Sequence, residues 1–252
     1  MTAELVRGQN HPLPQTRLEI RVSAGTPVVA GATLGDDRGT VGGAERIAHP
    51  GLPQLPGLDV SQQAAADHRL AVDLEALPED VHRVTVLLAL PAVPGAATRF
   101  GAVPAPFVAV TGLDGEEIAT FTLTGLDAES AVSALELYRR QDAWKVRAVG
   151  QGYAGGLADL LADQGVSDAA ALAGSIQEAV TRGLARSVAP PRAPDGDRVR
   201  HPAGPANPLP PTPSPAPEPP EPLTDPAATA GPRAAQPPAA PRLSLIHLSD
   251  GA

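Results

Sequence analysis

The segment at residues 107–123, FVAVTGLDGEEIATFTL, predicts a β-hairpin. Two apolar runs, Phe107–Val110 and Ile118–Leu123, are rich in the β-branched and aromatic residues that favour strands. Between them, residues 113–116 supply the Asp-Gly pair that tight hairpin turns prefer. This part of the chain is therefore expected to form antiparallel sheet.

Further strands are predicted on both sides of this hairpin. Residues 18–22 and 70–74 alternate apolar with other residues, which is the period of a strand with one buried face. Residues 84–90 are almost continuously apolar, as expected of a central strand that is covered on both faces. Trp144, Val146 and Ala148 alternate with two basic residues and predict another strand. Residues 23–69 give a weaker signal, because Gly, Ala and Pro are frequent there.

Three segments have helical spacing. Asp127 is a candidate N-cap for a helix that carries Ala131, Leu135 and Tyr138 on one side. A short helix is predicted at residues 157–161, with Gly165 as its terminator. After Ser167 the apolar residues recur every four positions, at Leu172, Ile176, Val180 and Leu184. This amphipathic helix either docks on the sheets or on a second copy of them, or is a surface helix that leads into a linker.

The order of these elements is typical of a mainly β fold, a β-sandwich with a few peripheral helices. All six aromatic residues lie between positions 100 and 153, whereas 19 of the 30 prolines lie beyond residue 189. We expect a β-sandwich domain over residues 1–166, an amphipathic helix over 167–187 and a disordered Pro/Ala-rich tail over 188–252. The expected aromatic core is Phe100, Phe107, Phe121, Tyr138 and Trp144. Within the tail, the apolar segment Leu243–Leu248 either docks on a sheet edge or begins a further domain.

Composition excludes several classes of function. The chain has no cysteine, so disulfides and thiolate metal sites are ruled out. Its net charge is −9, and no stripe of basic residues interleaves with aromatics, which argues against nucleic-acid binding. The first residues lack the apolar run of a signal peptide, and no stretch of 18 apolar residues occurs. A cytoplasmic location is therefore expected.

The most specific motifs are ELYRR at residues 136–140 and WKVRAVGQGYAGGL at 144–157. Shorter matches precede them in the same order: GQN at 8–10, LPEDV at 77–81 and FG at 100–101. On these motifs, residues 5–166 resemble the TerD family of tellurium-resistance and general stress proteins. The resemblance is strong over 98–166 and weak over 23–66. It implies a β-sandwich in which a helix ending in Leu-Tyr-Arg precedes the Trp-Lys strand.

The resemblance also implies a calcium site built from clustered aspartates in three segments. Here the first segment aligns with residues 25–30, which contain no carboxylate, while the others leave only Asp59 and Asp67 as candidate calcium ligands. Ca²⁺ takes six to eight oxygens, so two carboxylates would form at best a weak, largely hydrated site, or are ordinary loop acids. Asp36 and Asp37 are interpreted as a polar hairpin tip. The alternative is a site rebuilt from backbone carbonyls and all four aspartates.

Two other patterns are candidate sites. The histidines have no i, i+4 metal spacing and are expected to be solvated loop residues: His11, His49, His68 and His82. Residues 150–155, GQGYAG, fit Gly-x-Gly-x-x-Gly and are interpreted as a tight strand-to-helix turn, with a ligand-binding turn as the alternative. No Gly-x-Ser-x-Gly motif surrounds Ser61, Ser130 or Ser133, so catalysis is not expected.

The resemblance therefore predicts a non-enzymatic stress-response protein that acts as an interaction module with a degenerate calcium site. No cofactor is expected, and calcium would be bound weakly if at all. The implied partners are other stress and tellurium-resistance family proteins, with an indirect association with the membrane. The second hypothesis is a functional calcium-binding sensor whose site has been rebuilt.

Overall fold

The computed structural model describes residues 2–141 and 143–188. Most of the regular structure in these residues is strand, and two α-helices follow late in the chain. The strands are β1 (Ala3–Leu5), β2 (Asn10–Pro12), β3 (Arg17–Gly35), β4 (Ile47–Ala48), β5 (Gln54–Leu55), β6 (Leu58–Asp59), β7 (Ala65–Asp73), β8 (Arg83–Ala89), β9 (Phe107–Gly112), β10 (Glu117–Thr122), β11 (Ala131–Arg140) and β12 (Ala143–Tyr153). The helices are α1 (Gly156–Asp163) and α2 (Ala169–Val188).

The long strand β3 belongs to both layers of the sandwich. Its first part, residues 17–23, pairs antiparallel with β9 and β7 in one sheet, which β10, β1, β6 and β5 extend. Its last part, residues 29–35, pairs with β8 in the second sheet, which continues through β11 and β12 to β2. We call these the first and second sheets. The chain passes between them around Gly25, whose φ of +64° is readily adopted by glycine.

The main hydrophobic core lies between the inner faces of the two sheets. In β3, Leu18, Ile20 and Val22 are buried while their neighbours are exposed or half-buried, so alternation places one face inward. They belong to the same buried cluster as Val84 and Leu137 of the second sheet. Burying apolar surface in this way is the principal source of stability for the sandwich.

A second buried cluster covers part of the outer face of the second sheet. Leu87 of β8 and Ala131 of β11 belong to it together with Leu160 of α1 and Ile176 and Val180 of α2. Ile176 and Val180 are 1% and 0% exposed, so α2 docks on the sandwich instead of leaving it as a surface helix. The predicted helix at 157–161 is confirmed as α1, and Gly165 follows it with a φ of +83°.

The helix predicted after Asp127 is wrong, because Ala131–Arg140 form strand β11. All residues from 131 to 137 are buried, since β11 is covered on both faces. A register shift between Ser133 and Leu135 also breaks the two-residue period. The apolar spacing therefore resembled that of a helix. Asp127 is no N-cap; its carbonyl accepts a hydrogen bond from the Gly101 N–H at 2.9 Å, in a loop.

The other predicted strands are confirmed, and the 113–116 turn joins β9 to β10. The predicted aromatic core needs two corrections. Phe100 and Phe121 are buried, but Phe107 is 39% exposed on the outer face of the first sheet. Tyr138 is half-buried and, because its neighbour Leu137 points into the main core, lies on the outer face of the second sheet. Trp144 packs half-buried against the main core. Of the predicted tail, residues 189–252, including Leu243–Leu248, lie outside the described residues, and α2 extends to Val188.

Candidate functional site

The two candidate calcium ligands, Asp59 and Asp67, lie on the same outer face but in different places. Asp59 of β6 is opposite Ala71 in β7, and Asp67 lies four residues before Ala71 in β7. At roughly 3.3 Å per residue, their Cα atoms are separated by about 13 Å along the strand. Two carboxylates that far apart do not converge on one ion.

Each of these carboxylates already has a neutral hydrogen-bond partner. The amide nitrogen of Gln54 donates to Asp59 Oδ2 at 2.9 Å. The hydroxyl of Ser23 donates to Asp67 Oδ1 at 2.7 Å. Both aspartates are exposed. Their arrangement is that of polar side chains on a solvated sheet face.

Asp36 takes part in a turn. Its Oδ1 accepts backbone hydrogen bonds from Thr40 at 2.8 Å and Arg38 at 2.9 Å. The Thr40 amide, with smaller effects of the other neighbouring donors, lowers the pKa of Asp36 below its usual value. The predicted polar turn at 36–39 is therefore confirmed, and the Asp36 carboxylate is committed to backbone groups.

The structure does bring residues 25–30, which align with the first segment of the family's calcium site, next to the part of β7 that contains Asp67. The β3–β7 ladder is interrupted there: Ser23 pairs with Asp67, but the next pair is Val28 with Ala65. Four residues of β3 therefore lie opposite a single residue of β7, as in an enlarged β-bulge. Such an interruption leaves backbone groups without ladder partners, and these need other hydrogen bonds when buried.

His68 fills this interruption. Its side chain is 3% exposed, and its Nε2 lies 2.9 Å from the carbonyl oxygens of both Val28 and Ala65. Because carbonyl oxygens only accept, Nε2 must carry the proton. Within the described part of the protein, the buried Nδ1 has no hydrogen-bond partner, consistent with an unprotonated nitrogen. Burial lowers the pKa of His68, and its hydrogen bonds only partly oppose this, so a neutral imidazole joins the two strands.

The prediction that all four histidines are solvated was therefore wrong for His68. The alternation recognised at residues 70–74 extends backwards, so His68, Leu70 and Val72 share the buried face of β7. That extension was the available signal, although it could not identify the carbonyl partners. His49 is half-buried, its Nδ1 accepts the Gly51 N–H at 3.0 Å, and burial lowers its pKa.

The chemistry around the interruption does not fit a calcium ion. Ca²⁺ needs an oxygen cage with several carboxylates, whereas His68 provides nitrogen and takes up two carbonyl oxygens. In residues 2–141 and 143–188, no group of three or more His, Cys, Asp or Glu side chains is arranged to hold a metal ion.

The Gly-rich segment at 150–155 lies mostly within strand β12. The register shift opposite Ser133 and Leu135 places a bulge in β12, where Gly150 has a φ of +62°. β12 runs antiparallel to β11 and β2, so it is not part of the parallel unit that a dinucleotide-binding turn requires. The chain turns only afterwards, at Ala154 and Gly155.

These features define a β-sandwich on which two helices pack. At the interruption between β3 and β7, the imidazole of His68 is hydrogen-bonded to both strands. Residues 56–163 match the family model described as TerD domain. This part of the chain is therefore similar to the TerD domain, and a Pro-rich segment follows it in the sequence. The N-terminal motif at 8–10 and the segment at 25–30 lie outside the matched residues.

Similar proteins include tellurium resistance protein TerD from Alcaligenes sp, 37% identical over 103 residues, covering 40% of this chain and 54% of that protein. General stress protein 16U from Bacillus subtilis is 31% identical over 102 residues, covering 40% and 53%. The chain thus matches about half the length of these curated relatives. A solved homologue of telluride resistance protein (TerD) from Streptomyces coelicolor A3(2) has 17% identity and a TM-score of 0.42, covering 55% of this chain and 90% of that one.

No helix in the described residues is long and apolar enough to cross a membrane.

Proposed function

We propose that this protein is a non-enzymatic stress-response protein of the TerD family that acts as an interaction module, with a degenerate calcium site. The relation to tellurium-resistance and general stress proteins supports the biological context. The proposal of a degenerate site depends on one observation. The ring of His68 is hydrogen-bonded to the carbonyl oxygens of Val28 and Ala65 where the pairing of β3 with β7 is interrupted. A hydrogen-bonded imidazole performs there the crosslinking that an ion would otherwise supply.

The proposed partners are other stress and tellurium-resistance family proteins, and association with the membrane would be indirect through them. The proposal includes no nucleic-acid partner, because the chain is acidic overall. The cytoplasmic location remains a prediction from the sequence. The expected result is that the tagged full chain co-purifies with purified family members and with none of a set of unrelated proteins that lack acidic segments.

Calorimetric titration of the full chain with CaCl₂, after removal of metal with a chelator, tests the degenerate site. We expect no saturable binding tighter than micromolar. The double variant Asp59→Asn/Asp67→Asn should give the same trace as the parent, because the two carboxylates are far apart and exposed. Tight, stoichiometric binding in the parent would refute the proposal. If the four-aspartate variant Asp36→Asn/Asp37→Asn/Asp59→Asn/Asp67→Asn abolished that binding, the alternative of a rebuilt calcium sensor would replace it.

A further inference from the structure

A cluster of basic side chains lies on the part of the second sheet that the helices leave uncovered. In β11 and β12, Leu137 and Val146 point into the main core, so Tyr138 and the two residues flanking Val146 point outward. Register places Tyr138 opposite both Lys145 and Arg83. We define the basic face as Arg83, Tyr138, Arg140, Lys145 and Arg147.

A single buried carboxylate organises this face. Glu136 is 7% exposed, and its Oε2 accepts a hydrogen bond from Arg147 at 2.9 Å. Its Oε1 lies 3.7 Å from a guanidinium nitrogen of Arg83. One carboxylate between two guanidinium groups leaves one positive charge uncompensated.

Two further cations increase this excess. In the part of the chain that the structure describes, neither Arg140 nor Lys145 forms an ion pair. Arg140 is exposed and Lys145 is half-buried. The basic face therefore carries a local positive charge on a chain whose net charge is −9. Such a local reversal of sign favours a partner that presents negative charge at one place.

Three residues of the basic face, Arg83, Tyr138 and Arg147, are also held in position before any partner arrives. The guanidinium carbon of Arg147 lies 5.6 Å from the centroid of the Tyr138 ring, in cation–π contact, and Glu136 fixes the same guanidinium from the side. Arg83 also donates to the carbonyl oxygen of Asp37 at 3.0 Å. Groups that are already ordered lose less conformational entropy on binding.

The spacing of the cations matches an extended peptide. Lys145 and Arg147 are alternate residues of one strand, so their Cα atoms lie about 6.6 Å apart. An extended chain repeats its side chains on one side at the same interval. At these residues the backbone of β12 is already paired with β2. The partner would therefore contact the side chains of the basic face and would not add a strand to the sheet.

We propose that the basic face binds an acidic segment of a partner protein in extended conformation. This inference rests on the proposed function as an interaction module and names the chemistry of the partner. A peptide is favoured over nucleic acid because the one aromatic ring of the basic face, Tyr138, is already covered by Arg147 and is not free to stack on bases. A peptide is favoured over an anionic membrane because the rest of the acidic chain is repelled by such a surface.

Fluorescence anisotropy with the full chain and a labelled (Ser-Asp)₅ peptide at low salt tests the inference. The expected result is saturable binding that weakens as salt is raised, with no binding of the neutral (Ser-Asn)₅ peptide. The double variant Arg140→Glu/Lys145→Glu should bind the acidic peptide at least about fivefold more weakly, since two favourable charge pairs become repulsive. Glu136 and Arg147 are left intact, so the core of the network is preserved.

The matched control is Arg69→Glu/Arg182→Glu, which changes the net charge equally at exposed sites away from the basic face. It should keep the parent affinity within about twofold. Absence of saturable binding, or an equal loss in both double variants, overturns the inference. Binding of phosphatidylserine vesicles that depends on Arg140 and Lys145, without peptide binding, overturns it in favour of a membrane surface. The co-purification and calcium experiments test the proposed function separately, so their success alongside failure here would remove only this inference.

Discussion

The Nε2 of His68 lies 2.9 Å from the carbonyl oxygen of Val28, across the point where the β3–β7 ladder is interrupted. The same nitrogen lies 2.9 Å from the carbonyl oxygen of Ala65 on its own strand. A buried backbone carbonyl without a partner costs roughly 1–3 kcal/mol. The His68 ring therefore supplies hydrogen bonds that the interrupted ladder lacks. Removing the ring tests how much these hydrogen bonds contribute to stability.

We predict that His68→Ala lowers the free energy of unfolding by about 2–4 kcal/mol. The variant leaves carbonyl groups without their donor and creates a cavity in a nearly fully buried position. Urea denaturation followed by circular dichroism measures the change. His82→Ala, at a half-buried position, is the control and should cost less than about 1 kcal/mol. Equal stabilities of His68→Ala and the parent would contradict the crosslinking role.

We also predict that the fold loses stability as pH falls below about 6.5. Burial lowers the folded-state pKa of His68 from its ordinary value of 6.5. Below that pH the unfolded chain binds a proton at this histidine more readily than the folded protein does. The contribution of neutral His68 to the free energy of unfolding is therefore complete above pH 6.5 and decreases as the pH falls to the folded-state pKa. The slope for one such proton reaches roughly 1.4 kcal/mol per pH unit.

Urea denaturation at several pH values between 5 and 8 measures this slope. His68→Ala should flatten it, while a smaller dependence remains because burial also lowers the pKa of His49. The carboxylates with lowered pKa values, such as Asp36, titrate at lower pH and contribute little to the pH dependence of stability between pH 5 and 8. An unchanged slope in His68→Ala would show that this histidine is not the group that titrates.

The sequence predicted the fold best where local patterns and burial agree. The 107–123 hairpin follows from alternation and an Asp-Gly turn, and both signals are local. β11 was misassigned because burial on both faces removed the polar positions and a bulge shifted the period. Neither the burial of both faces nor the bulge can be recognised from the sequence without knowing which strands and helices pack on β11.

The candidate site was predictable only in part, for a similar reason. The lack of carboxylates at 25–30 is a direct property of the sequence. The separation of Asp59 from Asp67 depends on the register of β6 against β7. The role of His68 depends on a break in the pairing of β3 with β7, across which His68 contacts Val28, 40 residues away in the chain. Such long-range register is set by the whole core and not by local propensity.

Trp144 and Phe107 should respond differently to truncation, although both were predicted to lie in the core. Trp144 packs against the main core, whereas Phe107 is 39% exposed on the outer face of the first sheet. We expect Trp144→Ala to lower the free energy of unfolding by about 2–3 kcal/mol, less than for a fully buried tryptophan. Phe107→Ala should cost about 1 kcal/mol or less. Thermal melts of the two variants provide the comparison, and a reversed order would contradict the assigned packing.

Helix α2 should be an integral part of the folding unit. Ile176 is 1% exposed, and it shares the second buried cluster with Leu160 of α1 and Leu87 of β8. Ile176→Ala should therefore lower the free energy of unfolding by about 2–4 kcal/mol within a single cooperative transition. Ser175→Ala, at an exposed neighbouring position, should change it by less than about 0.5 kcal/mol.

Urea denaturation monitored by both tryptophan fluorescence and far-ultraviolet circular dichroism distinguishes the alternatives. Trp144 reports on the sandwich, while the far-ultraviolet signal also contains the helices. Coincident transitions shifted together by Ile176→Ala are expected if α2 stabilises the sandwich on which it packs. A helical transition that moves alone would mean that α2 folds and unfolds independently of the sheets. In that case the second cluster would not contribute to the stability of the domain.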